Sequence, residues 1–299
     1  MASLKEIKGR IASIQSMQKI TSAMRMVASA KLHRTQGMTE NFLRYKDTLH
    51  GIMDSLQNAD SGMQHGEWEE ESFSVHDNFA AGKSKCVLLI PVSSNSGLCG
   101  AFNSNIAKAT MKRISELEQQ GSQVMLMPVG KKIVHDLQRE GKDADAAYSD
   151  LMEKVEKGDG VNASSALMKR VTEMYRDGKI QSAEFIFHHF KSMGSQVITI
   201  QEIMLQMPKH VSGSHEYYIT EPSSSELIAS LFPLVMNAEA YGTMLDSLTS
   251  EHAARMMAMQ TADDNANELL RDLTLLYNKT RQQAITNELI DIMGSKVNG

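Results

Sequence analysis

The chain has 299 residues, room for two ordinary domains, with 41% hydrophobic residues but only 5% aromatic, so its core must be built largely without rings. A formal net charge of −5 argues against a dedicated nucleic-acid binder, and no run reaches the ~18 to 20 apolar residues that a membrane span requires. Two cysteines, Cys86 and Cys99, are too few for a disulfide framework and suit a reducing compartment.

The first segment, 1–57, places Leu4, Ile7, Ile11, Ile14, Met17, Ile20, Met24 and Val27 in steps of three and four, which predicts one apolar helical face. Ser3 followed by Glu6 reads as a capping-box start. A helix of some 50 residues at ~1.5 Å each would reach about 75 Å, so it must protrude or pair. Its opening, MASLKEIKGRIASIQ, is amphipathic and basic but runs without a cleavage-like break into more helix; it is expected to be mature protein, not a transit peptide. Lys19, Arg25, Lys31, Arg34, Arg44 and Lys46 form a basic stripe, expected to be a solvated or partner-facing side of that helix.

Residues 58–84 are polar and acidic and read as a linker. Their Gly82-Lys83-Ser84 triplet is not a P-loop, because Asp77 stands where the earlier glycine belongs and the triplet precedes a strand instead of following one. From 85 to 210 strand and helix alternate: strands at 85–94, 122–130, 182–192 and 195–205, and helices at 102–121, 131–141 and 162–178. That order predicts an α/β domain of Rossmann-like character with a partly parallel sheet. The loop SSNSGLCGAFNSN (93–105) joins a strand to a helix but lacks the G-x-G-x-x-G spacing, so a tight turn with close packing is expected rather than a phosphate cradle. His188 and His189 are neighbours on a strand, point to opposite faces and cannot share one metal; no Cys/His cluster has zinc spacing. Neither a cofactor nor a catalytic residue is expected.

The last segment, 211–299, carries a strict four-three repeat from Leu227 through Leu231, Leu234, Ala238, Tyr241, Leu245, Leu248, His252, Arg255, Met259, Ala262, Ala266, Leu269, Leu273 and Leu276 to Ile290, with Ser223 and Glu226 as a second capping box. The economical arrangement packs the two terminal helices as an antiparallel coiled coil with the α/β domain between them in sequence. Its seam is oily at first, polar at His252 and Arg255, small at Ala262 and Ala266, and polar again near the end. A helix pair built only for stability would not need that pattern.

Three blocks, ITSAMRMVASAKLHRTQ (20–36), GLCGAFN (97–103) and SEHAARMMAM with DNANELLRDLTLLYNKTRQQAITNELIDI (250–259, 264–292), closely resemble the gamma subunit family of F-type ATP synthases, in that family's order and spacing. The resemblance implies a non-catalytic central-stalk rotor of bacterial type. Its coiled coil would sit inside a ring of alpha and beta subunits, and its α/β domain would sit against the epsilon subunit and the membrane c-ring. It implies a peripheral place on the cytoplasmic face of the inner membrane, with no nucleic-acid partner and membrane association only through the complex. By the same resemblance Arg281, Gln282, Thr286 and Met24 lie where the shaft meets catalytic subunits, and Gly97, Cys99 and Gly100 form a loop facing an acidic lever of one of them. Asn95 and Ser96 stand where the family usually has Asp followed by Arg or Lys, so a positive charge expected there is absent. The extra cysteine pair of the chloroplast type is also absent, and thiol regulation is not implied. The competing readings are a nucleotide-binding α/β protein with a coiled-coil tether and a generic tether at a membrane surface.

Overall fold

A computed structural model describes residues 4–60, 85–203, 221 and 224–297. The chain begins with helix α1 (Leu4–Asp60) and ends with α6 (Ser224–Val297); between them run β1 (Cys86–Pro91), α2 (Phe102–Gln119), β2 (Gln123–Leu126), α3 (Lys131–Arg139), a 3-10 turn (Ala146–Tyr148), α4 (Leu151–Lys157), α5 (Gly160–Arg176), β3 (Ser182–Ser192) and β4 (Ser195–Glu202). Both capping serines, Ser3 and Ser223, and the Gly82-Lys83-Ser84 triplet lie outside the described residues. No helix among those described is long and apolar enough to cross a membrane. The chain divides into two compact units, Met1–Ala30 with Arg255–Gly299, and Lys31–Ala254.

In the Lys31–Ala254 unit the sheet has the order β2-β1-β3-β4, with β1 parallel to both neighbours and β4 antiparallel to β3. β1 is buried on both faces, as its unbroken CVLLIP run requires. Alternate residues divide the core in two. Val87 and Leu89 join Ile106, Ile114, Leu117, Ile133 and Leu137 beneath α2 and α3, whereas Leu88 and Ile90 join α5 and the two long helices on the other face. Helix α4, with Leu151, Met152 and Val155 buried, fills a stretch to which sequence reading assigned no element. At seven residues it is too short for periodicity to reveal.

Against that second face α1 and α6 run antiparallel. Lys46 reaches Glu239 (2.8 Å) while Thr39 meets Thr249 (3.3 Å), so one helix advances as the other recedes. Phe42 packs edge-on against Tyr241, centroids 4.8 Å apart. Tyr241 in turn lies over Gly160, where any Cβ would come 2.5 Å from its ring. Only glycine permits that approach of α5 to α6. The seam itself departs from the strict repeat at its start: Leu234 is 48% exposed, while Val235 and Met236 are buried in its place. Pro233 sits inside the helix beside this shift, and a missing N–H with a ring in the preceding turn is a physical reason for the face to rotate there.

The unit formed by Met1–Ala30 and Arg255–Gly299 holds the same antiparallel sense, since Gln18 bonds Asn267 (2.7 Å) and Arg25 bonds Gln260. Here the expected apolar face is corrected in part. Its Leu4, Ile7, Ile11, Ile14 and Met24 are buried or half-buried, but Met17, Ile20 and Val27 lie well exposed, and Gln18, Arg25 and Ala28 take the inward line in their place. Opposite them, Met259 and Ala266 are buried, but Leu269 and Leu276 are exposed although the repeat assigned them to the seam. Polar side chains that bond to each other across the helices share the inside with Ile7, Ala28, Met259 and Ala266, while Met17, Ile20 and Val27 turn out.

Candidate functional site

The β1–α2 loop is tied down from within. Ser94 N–H donates to Asn103 Oδ1 (3.1 Å), Ser94 Oγ reaches the same oxygen (2.9 Å), and Asn103 Nδ2 lies 3.2 Å from Cys99 Sγ. Cys99 is buried beneath the loop, whereas Leu98, at φ +63° between Gly97 and Cys99, projects 61% exposed. Gly100 also takes a left-handed conformation. So among Gly97, Cys99 and Gly100, which the family resemblance singled out, the cysteine faces inward, and the exposed apolar tip of the same 97–100 loop is Leu98.

A phosphate cradle at this end of the sheet would need free backbone amides at a helix start. Those of α3 are taken: Lys131 N–H donates to Asn95 Oδ1 (3.1 Å), Lys132 N–H to Ser94 O (3.2 Å) and Ile133 N–H to Ser93 Oγ (3.0 Å). Gly130, at φ +103°, lies so close to Ser93 that no side chain fits there. Beside the first turn of α2 the His188 imidazole stacks on Phe102, centroids 4.2 Å apart. Burial lowers its pKa to about 4, so it sits neutral as packing. Open α/β sheets bind ligands at the carboxyl ends of their strands, and beside β1 the α3 amides that would serve are already bonded to Ser93, Ser94 and Asn95. Among the described residues no three His, Cys, Asp or Glu side chains gather as a metal site.

Near the end of α6, Arg281, Gln282 and Thr286 are all exposed; the Thr286 hydroxyl donates back to Gln282 O (2.9 Å), leaving the guanidinium and amide to face outward. Met24 is half-buried on α1. The basic stripe is corrected in part. Arg25, Lys31 and Lys46 are held by Gln260, Glu156 and Glu239 of this chain, while Lys19, Arg34 and Arg44 remain exposed. His252, expected as a polar break in the seam, is 2% exposed, with Nε2 3.8 Å from the Glu156 carboxylate that also receives Lys31 (2.6 Å). On the seam it thus faces Glu156 of α4.

Sequence reading also missed the polar links between α6 and the sheet. Glu239 accepts from Lys46, lies 2.7 Å from His50 Nε2, and receives Gln201 Nε2 at 3.3 Å. Burial raises its pKa, but the Lys46 and His50 contacts outweigh that and hold it below the usual carboxylate range. Asp246 and Ser250, one helical turn apart, reach β3: Asp246 Oδ1 accepts Phe190 N–H (2.8 Å), Asp246 Oδ2 lies 2.6 Å from His189 Nδ1, and Ser250 Oγ donates to His188 O (3.0 Å). The two histidines therefore do face apart, one buried and one exposed. No clear signal marked this junction, because Asp246 and Ser250 stand among other polar residues of α6, Thr243, Ser247 and Thr249.

Residues 3–296 match the family described as ATP synthase. A protein of Parabacteroides distasonis named ATP synthase gamma chain is 44% identical, covering 98% of each chain. One of that name from Bacteroides fragilis is 43% identical over 99% of this chain and all of its own length. Among solved structures, a chain of the Euglena gracilis mitochondrial ATP synthase rotor superposes with a TM-score of 0.58 at 18% identity, covering 94% of this chain and 98% of that one. At that identity the likeness speaks to fold, and the fold agrees.

Proposed function

The chain belongs to the ATP synthase gamma chain family and is a non-catalytic, central-stalk member of that complex; on that premise we propose that it is the shaft that carries torque between the membrane c-ring and a head of alpha and beta subunits. In this reading the Met1–Ala30 and Arg255–Gly299 unit lies within the head. Arg281, Gln282 and Thr286 meet loops of a catalytic subunit, and Met24 lies on the neighbouring helix. The 97–100 loop meets a catalytic subunit from below through Gly97, Cys99, Gly100 and the exposed Leu98 between them. The sheet-bearing unit sits against the epsilon subunit and the c-ring, on the cytoplasmic side of the inner membrane, so that the chain is peripheral.

The observation that carries the reading is the mixed seam. Met17, Ile20, Val27, Leu269, Leu275 and Leu289 lie exposed on helices whose inside combines Ile7, Ala28, Met259 and Ala266 with hydrogen bonds between Gln, Asn and Arg. A sleeve of partner subunits would cover the apolar side chains left outside. Guanidinium and amide groups suit contacts that form and break with rotation, because their bonds are directional. An elementary charge crossing the membrane is worth ~2.3 kcal/mol per 100 mV, so several must be pooled through one shaft for each ATP.

The test is reconstitution with the alpha and beta subunits of the same organism. The chain is expected to assemble and restore ATP turnover; assembly without turnover, or none, would end the reading. Within an active complex, Arg281→Ala with Gln282→Ala is expected to lower coupled turnover while helicity by circular dichroism stays as it was. A loss of helicity would make both residues structural instead.

A further inference from the structure

Strand β3 outruns its parallel neighbour. β1 pairs with it from Val87 opposite Ser182 to Pro91 opposite Ile186, and the last bond on that edge runs from Val92 N–H to Ile186 O (2.8 Å), whereas β4 continues along the other edge to Ser195 opposite Ser192. Backbone groups of alternate residues face the same edge, so those of His188 and Phe190 point to where β1 would have continued. Two side chains of α6 stand there instead, Ser250 on His188 O and Asp246 on Phe190 N–H. The geometry is commensurate. Four residues of helix rise ~6 Å and two of strand ~6.6 Å, so a helix running against the strand can present side chains at i and i+4 in step with it.

We infer that Asp246 and Ser250 form the joint through which torque passes between the sheet and α6. The inference rests on the rotor reading above. Apolar packing between these elements resists separation but is non-directional, and surfaces so joined can slide. Hydrogen bonds weaken steeply with angle, so bonds from a helix to a strand backbone resist that sliding. Ser250 is fully buried and Asp246 largely shielded, so neither bond is readily exchanged for water. Of the other polar links from α6 to the sheet described above, Asp246 Oδ2 meets the exposed His189 ring at 2.6 Å, a further contact of the same side chain, and Gln201 to Glu239 joins two side chains at 3.3 Å and is the weaker restraint.

The experiment uses the full complex in membrane vesicles, with ATP hydrolysis and ATP-driven ion pumping measured together. For Asp246→Ala with Ser250→Ala, hydrolysis is expected to stay within about twofold of wild type while the ratio of pumping to hydrolysis falls about tenfold. Asp246→Asn keeps a carbonyl oxygen for Phe190 N–H and is expected to retain most of the ratio. Leu245→Ala, which loosens the same stretch without touching either bond, should leave the ratio unchanged; an equal loss there would make the effect one of stability and overturn the joint. If the double variant does not assemble, Ser250→Ala is measured in its place, with the same direction expected. A wild-type chain that restores no turnover overturns the rotor reading and the joint with it. A pumping wild-type complex beside variants of unchanged ratio overturns the joint alone.

Discussion

The two units draw on the same pair of helices and close their seams by different means. In Lys31–Ala254 the inside is Leu49, Met53, Met244, Leu245 and Leu248 against a sheet, and polar groups link helix to helix and helix to strand. In Met1–Ala30 with Arg255–Gly299 the inside joins Ile7, Ala28, Met259 and Ala266 to the pairs Gln18 with Asn267 and Arg25 with Gln260, and much of the apolar surface is outside. Apolar burial contributes ~25 cal/mol per Å², while an exchangeable hydrogen bond nets only about 1 kcal/mol. The first unit is therefore built to hold itself together, and the second holds two helices in place while leaving its oily surface for something else.

The largest test of that contrast is Leu245→Ala. Leu245 is fully buried, and its truncation should cost about 3 kcal/mol, read as a fall in the urea midpoint. A cost near zero would mean that the seam of this unit is not what stabilises it.

Acid should act on the same unit through His188. Its folded pKa of about 4 lies below the ordinary 6.5. As pH falls through 6.5 the unfolded chain takes up a proton that the folded chain refuses. The stability contributed by the neutral ring is thus complete above about 6.5 and is lost progressively down to about 4, by about 3 kcal/mol in all. His188→Phe, which can still stack on Phe102, should flatten the dependence of Tm on pH across that window; an unaltered slope would assign the acid sensitivity elsewhere.

Smaller effects belong to the other unit. A double-mutant cycle on Gln18→Ala and Asn267→Ala should give a coupling of about 0.5 to 1 kcal/mol. Ile20→Ala, at a position 60% exposed, should change the stability of the isolated chain by less than about 0.5 kcal/mol. If the cycle instead gave no coupling and Ile20→Ala cost as much as Leu245→Ala, the contrast between the units would disappear.

Much of this architecture was legible in the sequence. The apolar β1 and β3 runs, the three-four spacing of both end helices and the GLCG block are strong local patterns, and the elements they mark appear there, although several seam positions do not. What was not legible depends on partners distant in sequence. Met17, Ile20 and Val27 satisfy helical periodicity as well as Gln18 and Arg25 do, and only Asn267 and Gln260 across the pair decide which face turns in. His252 comes to face Glu156 on α4, and Cys99 turns inward beside Asn103 and Ser94; neither pairing leaves a periodic mark. Leu234 failed for a local reason that was visible, the adjacent Pro233.

The antiparallel pairing of the two ends also sets a timetable. Lys46 and Glu239 are separated by 193 residues, and Gln18 and Asn267 by 249. At ~5 to 20 residues per second of synthesis, α1 waits roughly 10 to 50 s on the ribosome side of its life before the helix that covers it exists. Throughout that interval Leu49, Met53 and Leu56 have no α6 to bury them, so a nascent chain stopped before residue 224 should be the form that chaperones retain and that aggregates when they are withheld.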